Sequence, residues 1–211
     1  MKLLLLIILT STQLAFSKTV LVSGFDAFDG NLGNNSELVG KRLSERFKDS
    51  EIKIKFCSLR TVYFKSSEML KDCLNEMPER PDYIIGLGEG PCRGLKFEKE
   101  AINLMKDISS DNDGVHYSGQ LIREGSPKKI KMSLDLTPLY KMLSRADRKF
   151  VKLSKDQGTF VCNNLSYIIT NDIEDIPYTF IHVPAFNCQN RLELELKSTD
   201  ILESTIKNLF N

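Results

Sequence analysis

Two residues of this chain combine reactive chemistry with a suggestive setting. Cys162 follows Gln157-Gly158-Thr159-Phe160-Val161 and opens Asn163-Asn164-Leu165-Ser166-Tyr167. That order reads as a strand, a glycine turn and a cysteine at a helix N-terminus. Exposed N–H groups and the helix dipole there favour a thiolate and can hold an oxyanion. The layout parallels a nucleophile elbow with sulfur in place of oxygen. Histidine is the usual general base at neutral pH, and the chain has two. His116 neighbours a Gly- and Asp-rich turn and suits a solvated loop. His182 lies in the apolar run Phe180-Ile181-His182-Val183-Pro184, near the expected carboxyl edge of a sheet. Alone, such a histidine is more often a satisfied core residue; with Cys162 in the same chain it becomes a candidate base. An imidazole base needs an orienting group. Asp26, Glu89, Glu98 and Glu100 are all candidates by position, and composition does not choose among them. Glu98 and Glu100 share a face if their segment is extended, while Lys96 and Lys99 alongside would equally suit a solvated face.

Other motifs fall short. Gly86-Leu87-Gly88-Glu89-Gly90-Pro91 is glycine-rich, but Pro91 stands where a dinucleotide fingerprint needs its last glycine, and an extended segment rather than a helix follows. Asp111-Asn112-Asp113-Gly114 places its glycine too early for an EF-hand and reads as a turn. Two histidines and no CxxC pair make a structural zinc site improbable. No metal or cofactor is expected. Of the five cysteines, Cys57 and Cys73 sit in apolar-patterned segments and read as buried inert thiols. Cys92 and Cys188 lie in loops and could pair or stay free.

The elements that must position these residues follow from periodicity. Strands are expected at 19–24, 52–59, 81–88, 151–154 and 178–184. Helices are expected from a Ser36 cap to Phe47, and at 66–77, 136–143, 161–170 and 199–210; residues 95–105 read as extended. Strands alternating with helices predict a single α/β domain, a three-layer α/β/α sandwich around a mainly parallel twisted sheet. Sites in such sheets lie at the carboxyl ends of the strands. The chain has 211 residues, 29 Lys+Arg and 28 Asp+Glu, with 41% hydrophobic residues. That balance argues against disorder and a multi-span membrane protein, and removes the usual reason to expect nucleic acid. Residues 1–17 resemble a secretory signal peptide: Lys2, the apolar run Leu3 to Leu9, and small residues before a cut after Ser17. The folded domain is then 18–211, with no stable membrane insertion once the signal is removed.

Five motifs, in order, resemble those of the type I pyroglutamyl peptidases (pyrrolidone-carboxylate peptidases). They are Ser23-Gly24-Phe25-Asp26-Ala27-Phe28-Asp29-Gly30, Glu98-Lys99-Glu100-Ala101-Ile102-Asn103, Asp111-Asn112-Asp113-Gly114, Gly158-Thr159-Phe160-Val161-Cys162-Asn163 and Phe180-Ile181-His182-Val183-Pro184. The resemblance implies hydrolysis of an N-terminal pyroglutamyl residue from peptides. It makes Cys162 the nucleophile, His182 the base and then acid, and Glu98 rather than Glu100 the orienting carboxylate. Phe25 and Phe28 would sandwich the flat lactam, Phe160 and Val161 would complete the pocket, and Asn34 would lie near it. A neutral planar lactam suits apolar walls with few polar anchors. A homo-oligomer is compatible with this reading.

The chain departs from the family pattern in the loops. Asp29 replaces the first of two glycines, Ala27 and Asn35 replace prolines, and Glu89 lies near a neutral Gln of many members. Lys99 and Ile108 stand where arginines are common, and Gln157 replaces a small residue. An unpaired Glu89 beside a neutral lactam would be unfavourable, which raises a cationic or different N-terminal group as its partner. A signal peptide is also unusual for an intracellular family and points to a secreted or lysosome-like location. Asn34-Asn35-Ser36 and Asn164-Leu165-Ser166 are sequons, with modification expected at neither. Two readings result: a secreted cysteine pyroglutamyl peptidase, and a non-catalytic secreted relative that binds peptides.

Overall fold

The computed structural model describes residues 18–107 and 109–211. The expected signal peptide at 1–17, and Ile108, lie outside the described residues. In chain order the elements are β1 (Lys18–Phe25), α1 (Asn35–Arg46), β2 (Ile52–Leu59), α2 (Lys65–Asn75), β3 (Tyr83–Gly90), β4 (Leu95–Glu98), β5 (Glu100–Ile102) and β6 (Met105–Lys106). There follow β7 (Ser118–Gln120), β8 (Lys129–Lys131), α3 (Thr137–Met142), α4 (Arg145–Phe150), β9 (Val151–Ser154), α5 (Val161–Asp172), β10 (Tyr178–Pro184) and α6 (Arg191–Asn208).

The main sheet has the order β2-β1-β3-β10-β4-β9. β2, β1, β3 and β10 run parallel; β4 is antiparallel to β10 and parallel to β9. The central strands are apolar on both faces, as a sheet covered twice requires. On one face, Leu70 and Leu74 of α2 and Val161, Leu165 and Ile169 of α5 pack with Leu21, Phe25 and Phe180. On the other, Val39 and Leu43 of α1 and Ile201, Leu202 and Ile206 of α6 pack with Val20, Val22, Ile181 and Val183. The result is the expected three-layer α/β/α sandwich on a mainly parallel sheet.

Some local expectations are corrected. Asn34, not Ser36, caps α1: its side chain accepts from Ser36 N, and Ser36 is buried within the helix. α6 begins at Arg191, well before the expected 199. Its first turns carry Glu195, which is 2% exposed and held by Arg42 at 2.6 Å and Arg191 at 3.1 Å. That inward-facing acid hides the helical apolar stripe. Cys57 and Cys73 are not free thiols but a disulfide joining β2 to α2. Cys92 and Cys188 form a second disulfide, leaving Cys162 as the free cysteine.

Candidate active site

β3 gives the glycine-rich run at 86–90 a structural role. Its glycines at 86, 88 and 90 clear a trough on the sheet face beneath α5. A Cβ at Gly88 would lie 2.7 Å from Cys162 Sγ and 2.7 Å from the Phe180 ring. One at Gly90 would lie 2.9 Å from His182 Cβ, and one at Gly86 would strike Phe180 at 2.6 Å. His182 pairs in register with Gly88 on the neighbouring parallel strand. Cys162 and His182 therefore both meet this glycine floor, at the carboxyl end of two central strands. The glycines are there because side chains would fill the space.

Cys162 enters from above at the start of α5. The N-cap residue Phe160 makes no side-chain cap hydrogen bond. The first N–H groups of the helix have no carbonyl partner within it. The thiol itself differs from the sequence expectation. Burial, with the carboxylates of Glu89 and Glu98 adding to it, pushes Cys162 up to about 12, against an ordinary value of 9.0. Desolvation outweighs the helix dipole, which favours the neutral thiol over the thiolate.

His182 Nδ1 lies 2.8 Å from Glu98 Oε1. Both side chains are buried. Glu98 stands on β4 opposite Phe180, so the carboxylate reaches diagonally across the ladder to the imidazole. With Nδ1–H donating to Glu98, Nε2 is left as the acceptor. Glu100 instead meets Lys129 and Lys155, each at 3.9 Å. Asp26 accepts from Thr61 N at 2.7 Å and from the Asn112 amide at 3.0 Å, which ties the 25–35 loop to the 111–114 turn. His116 is exposed in its loop. Of the four candidate acids, Glu98 alone pairs with His182 among the described residues.

Glu89 is not unpaired. Its Oε1 accepts from Asn35 N and from Phe186 N, the latter at 2.8 Å. Asn35 Nδ2 also donates to Pro184 O at 2.7 Å. This carboxylate joins the loop before α1 to the loop after His182, so a cationic substrate group is not needed to explain it. Burial nevertheless raises its pKa above the usual carboxylate value, and the two N–H donors offset this only in part.

The expected pocket residues converge on the same face. Phe25 and Val161 are buried in one core cluster, with Phe160 and Cys162 packed against it. The Phe28 and Phe160 rings are in direct contact, with centroids 5.0 Å apart. A flat ring held between two aromatic rings would need about 7 Å, twice the usual ~3.5 Å separation. Phe28 therefore has to move aside for a ring to enter between it and Phe160. It precedes Asp29 and Gly30, both at positive φ, 55° and 71°. Asn34 is 4% exposed; its amide donates to Asp26 O at 3.0 Å, so it shapes the loop. Both sequon asparagines, Asn34 and Asn164, are buried.

Sequence reasoning missed three positioning residues. Asn163 accepts from Ile102 N at 2.8 Å and donates to Ile102 O and Leu104 O, fastening α5 to the Glu98 segment. Asn164 accepts from Phe64 N at 2.8 Å. Tyr63 packs edge-on to Phe160, with centroids 5.4 Å apart. The polar pair beside Cys162 was the available signal for the asparagines; nothing local marks Tyr63.

The profile of the pyroglutamyl peptidase family matches residues 18–206. The pyrrolidone-carboxylate peptidase of Bacillus cereus (strain Q1) is 32% identical over 172 residues, 79% of this chain and 78% of that protein. That of Lactobacillus johnsonii is 32% identical over 170 residues, 78% of this chain and 77% of that one. The crystal structure of Bacillus amyloliquefaciens pyroglutamyl peptidase I superposes with a TM-score of 0.77 at 28% identity, covering 90% of this chain and 95% of that one. A mutant pyrrolidone carboxyl peptidase from P. furiosus shares the fold at a TM-score of 0.76 and 23% identity, covering 91% and 98%. Agreement in sequence along most of the chain, and in fold across nearly all of it, leads to one assignment: this chain belongs to the pyroglutamyl peptidase family.

Proposed function

We propose that this chain is a cysteine peptidase that removes an N-terminal pyroglutamyl residue from peptides through a thioester acyl-enzyme. The observation that carries the reading is the buried His182–Glu98 pair on the floor beneath Cys162. In the forward step His182 Nε2 takes the proton of the neutral Cys162 thiol as Sγ attacks the pyroglutamyl carbonyl. The first N–H groups of α5 receive the oxyanion. The imidazolium, held by Glu98, then protonates the departing amine as the C–N bond breaks. Water, deprotonated by His182, attacks the thioester and releases pyroglutamate and the thiol. Phe25, Phe28, Phe160 and Val161 form the apolar walls for the lactam. No metal or cofactor takes part in these steps.

The compartment is oxidising in this reading, which the two disulfides support. It agrees with the signal-like residues 1–17 and with secretion or a lysosome-like destination. The decisive assay uses residues 18–211 with both disulfides intact and Cys162 reduced. Turnover of a fluorogenic pyroglutamyl amide is expected, with none of the matching prolyl amide. Cys162→Ala should lose at least about 10⁴-fold in kcat. Turnover retained by purified Cys162→Ala, or a folded wild type with no turnover, would sink the proposal; the latter would favour a peptide-binding relative.

A further inference from the structure

Tyr63 stands out among the buried polar groups. It is 5% exposed, and its hydroxyl has no hydrogen-bond partner among the described residues. A buried unpaired hydroxyl is costly unless something else completes it. Its surroundings are the residues expected to hold the lactam. The ring packs edge-on against Phe160 at 5.4 Å and Tyr117 at 4.9 Å. It belongs to the same core cluster as Phe25 and Val161, with Cys162 packed against that cluster.

The backbone around Tyr63 is held at some cost. Phe64 has φ 60° and ψ −42°, and Lys65 N donates to Tyr63 O at 2.6 Å. This is a γ-turn of the rare, strained hand. It is pinned on both sides: Tyr63 N donates to Asp111 Oδ2 at 3.1 Å, and Phe64 N to Asn164 Oδ1 at 2.8 Å. Asn164 belongs to the nucleophile helix. The turn that aims Tyr63 is thus keyed to the element that aims Cys162. Strain kept in place by several independent anchors points to a functional constraint. Burial, with the carboxylates of Asp107 and Asp111 nearby, keeps the phenol protonated and able to donate.

We propose that the Tyr63 hydroxyl donates a hydrogen bond to the ring carbonyl of the substrate's N-terminal lactam, and so selects pyroglutamyl over five-membered rings that lack that carbonyl. The proposal rests on the pyroglutamyl reading above and names a residue that sets its specificity. Apolar walls accept any flat ring of the right size. A site built to hydrogen-bond a substrate group also rejects the analogue that lacks it, because the site's own group is then left unpaired.

The test compares wild type with Tyr63→Phe on pyroglutamyl and cyclopentanecarbonyl amides, and on protection of Cys162 from iodoacetamide by 2-pyrrolidone. In Tyr63→Phe, kcat/KM for the pyroglutamyl amide should fall at least about 10-fold while that for the cyclopentanecarbonyl amide holds or rises. The concentration of 2-pyrrolidone that halves the alkylation rate should rise by a similar factor. Equal losses on both amides, unchanged selectivity, or equal protection in the two proteins would overturn the assignment. The protection arm needs no turnover. A wild type protected by 2-pyrrolidone yet inactive on the amide would therefore count against the peptidase reading and not against Tyr63. A wild type left unprotected at all concentrations would count against Tyr63.

Discussion

A neutral, buried thiol between two carboxylates makes the protonation of Cys162 a property of its neighbours. Glu98 pairs with the imidazole at 2.8 Å. Glu89 is not bound by that role: its Oε1 only receives two backbone N–H groups, and an amide oxygen can receive them equally. Glu89→Gln should therefore keep the loops joined while removing one of the charges that raise Cys162. In wild type the alkylation rate of Cys162 should keep climbing as the pH passes 9 toward about 12. In Glu89→Gln the same curve should lie at lower pH. Stability should respond with a definite sign. The folded pKa of Glu89 is raised above 4.5, so its neutral form is the one folding favours. That contribution is complete below the unfolded value and lost as pH rises through the folded one. Glu89→Gln should accordingly unfold at higher denaturant at pH 7, with the gap closing as the pH falls through the raised folded value and gone below about 4.5. A gap that widens in acid would contradict this account.

At the scale of elements, the site is a floor, a roof and a wall. β3 is the floor, and it is usable because Gly86, Gly88 and Gly90 carry no side chains there. Gly88→Ala places a methyl group 2.7 Å from Cys162 Sγ and from Phe180, closer than packed atoms allow. Overpacking of this kind costs about 1–3 kcal/mol. A displacement of about 1 Å at a reacting group can cost about 10²-fold in rate. The expected outcome is a folded protein with a modestly lower unfolding midpoint and kcat/KM reduced about 100-fold, read by the amide assay and a denaturant titration. Wild-type activity in Gly88→Ala would mean that Cys162 works from another position. α5 is the roof, fastened to the Glu98 segment by Asn163. The loops at 25–35 and 60–64 are the wall, and Asp26, Asp111 and Asn164 hold them. Asp29 occupies a left-handed position that favours glycine. This gives a physical reason for the family's glycine there and shows that aspartate is accommodated.

The whole molecule separates its cysteines by task. Cys57–Cys73 joins β2 to α2 across a sequence separation of 16 residues. Cys92–Cys188, separated by 96 residues, ties the loop after β3 to the loop after β10. The second bond flanks the segments that carry Glu89 and His182, so it braces the rim of the site. In the chain-entropy view such cross-links contribute about 3–5 kcal/mol each. Alkylation of native, unreduced protein followed by peptide mapping should label Cys162 alone. Full reduction under denaturing conditions should expose all five cysteines. Label on Cys92 or Cys188 before reduction would remove the brace from this picture.

Much of this was legible in the residues. Strand and helix alternation was enough for the α/β sandwich, because periodicity reports which faces must be buried. The strands 52–59, 151–154 and 178–184 lie where expected, since their apolar patterns and flanking turns are local. Cys162 and His182 were legible as a pair because each stands at the end of a recognisable element. Other features were not local. Choosing Glu98 over Glu100 needed either the family resemblance or the ladder that lays β4 beside β10. The early start of α6 was hidden by a buried Glu195, whose arginine partner on α1 is remote in sequence. The pairing of Cys57 with Cys73, the neutral state of the Cys162 thiol and the unpartnered Tyr63 hydroxyl all depend on which groups meet away from water. The sequence by itself determined the element types and the reactive residues, because those follow from short-range pattern and side-chain chemistry. The tertiary structure supplied the contact that joins Glu98 to the histidine, and it alone decided which thiols are bonded and which polar atoms are left unpaired among the described residues, because burial and through-space contact set those outcomes.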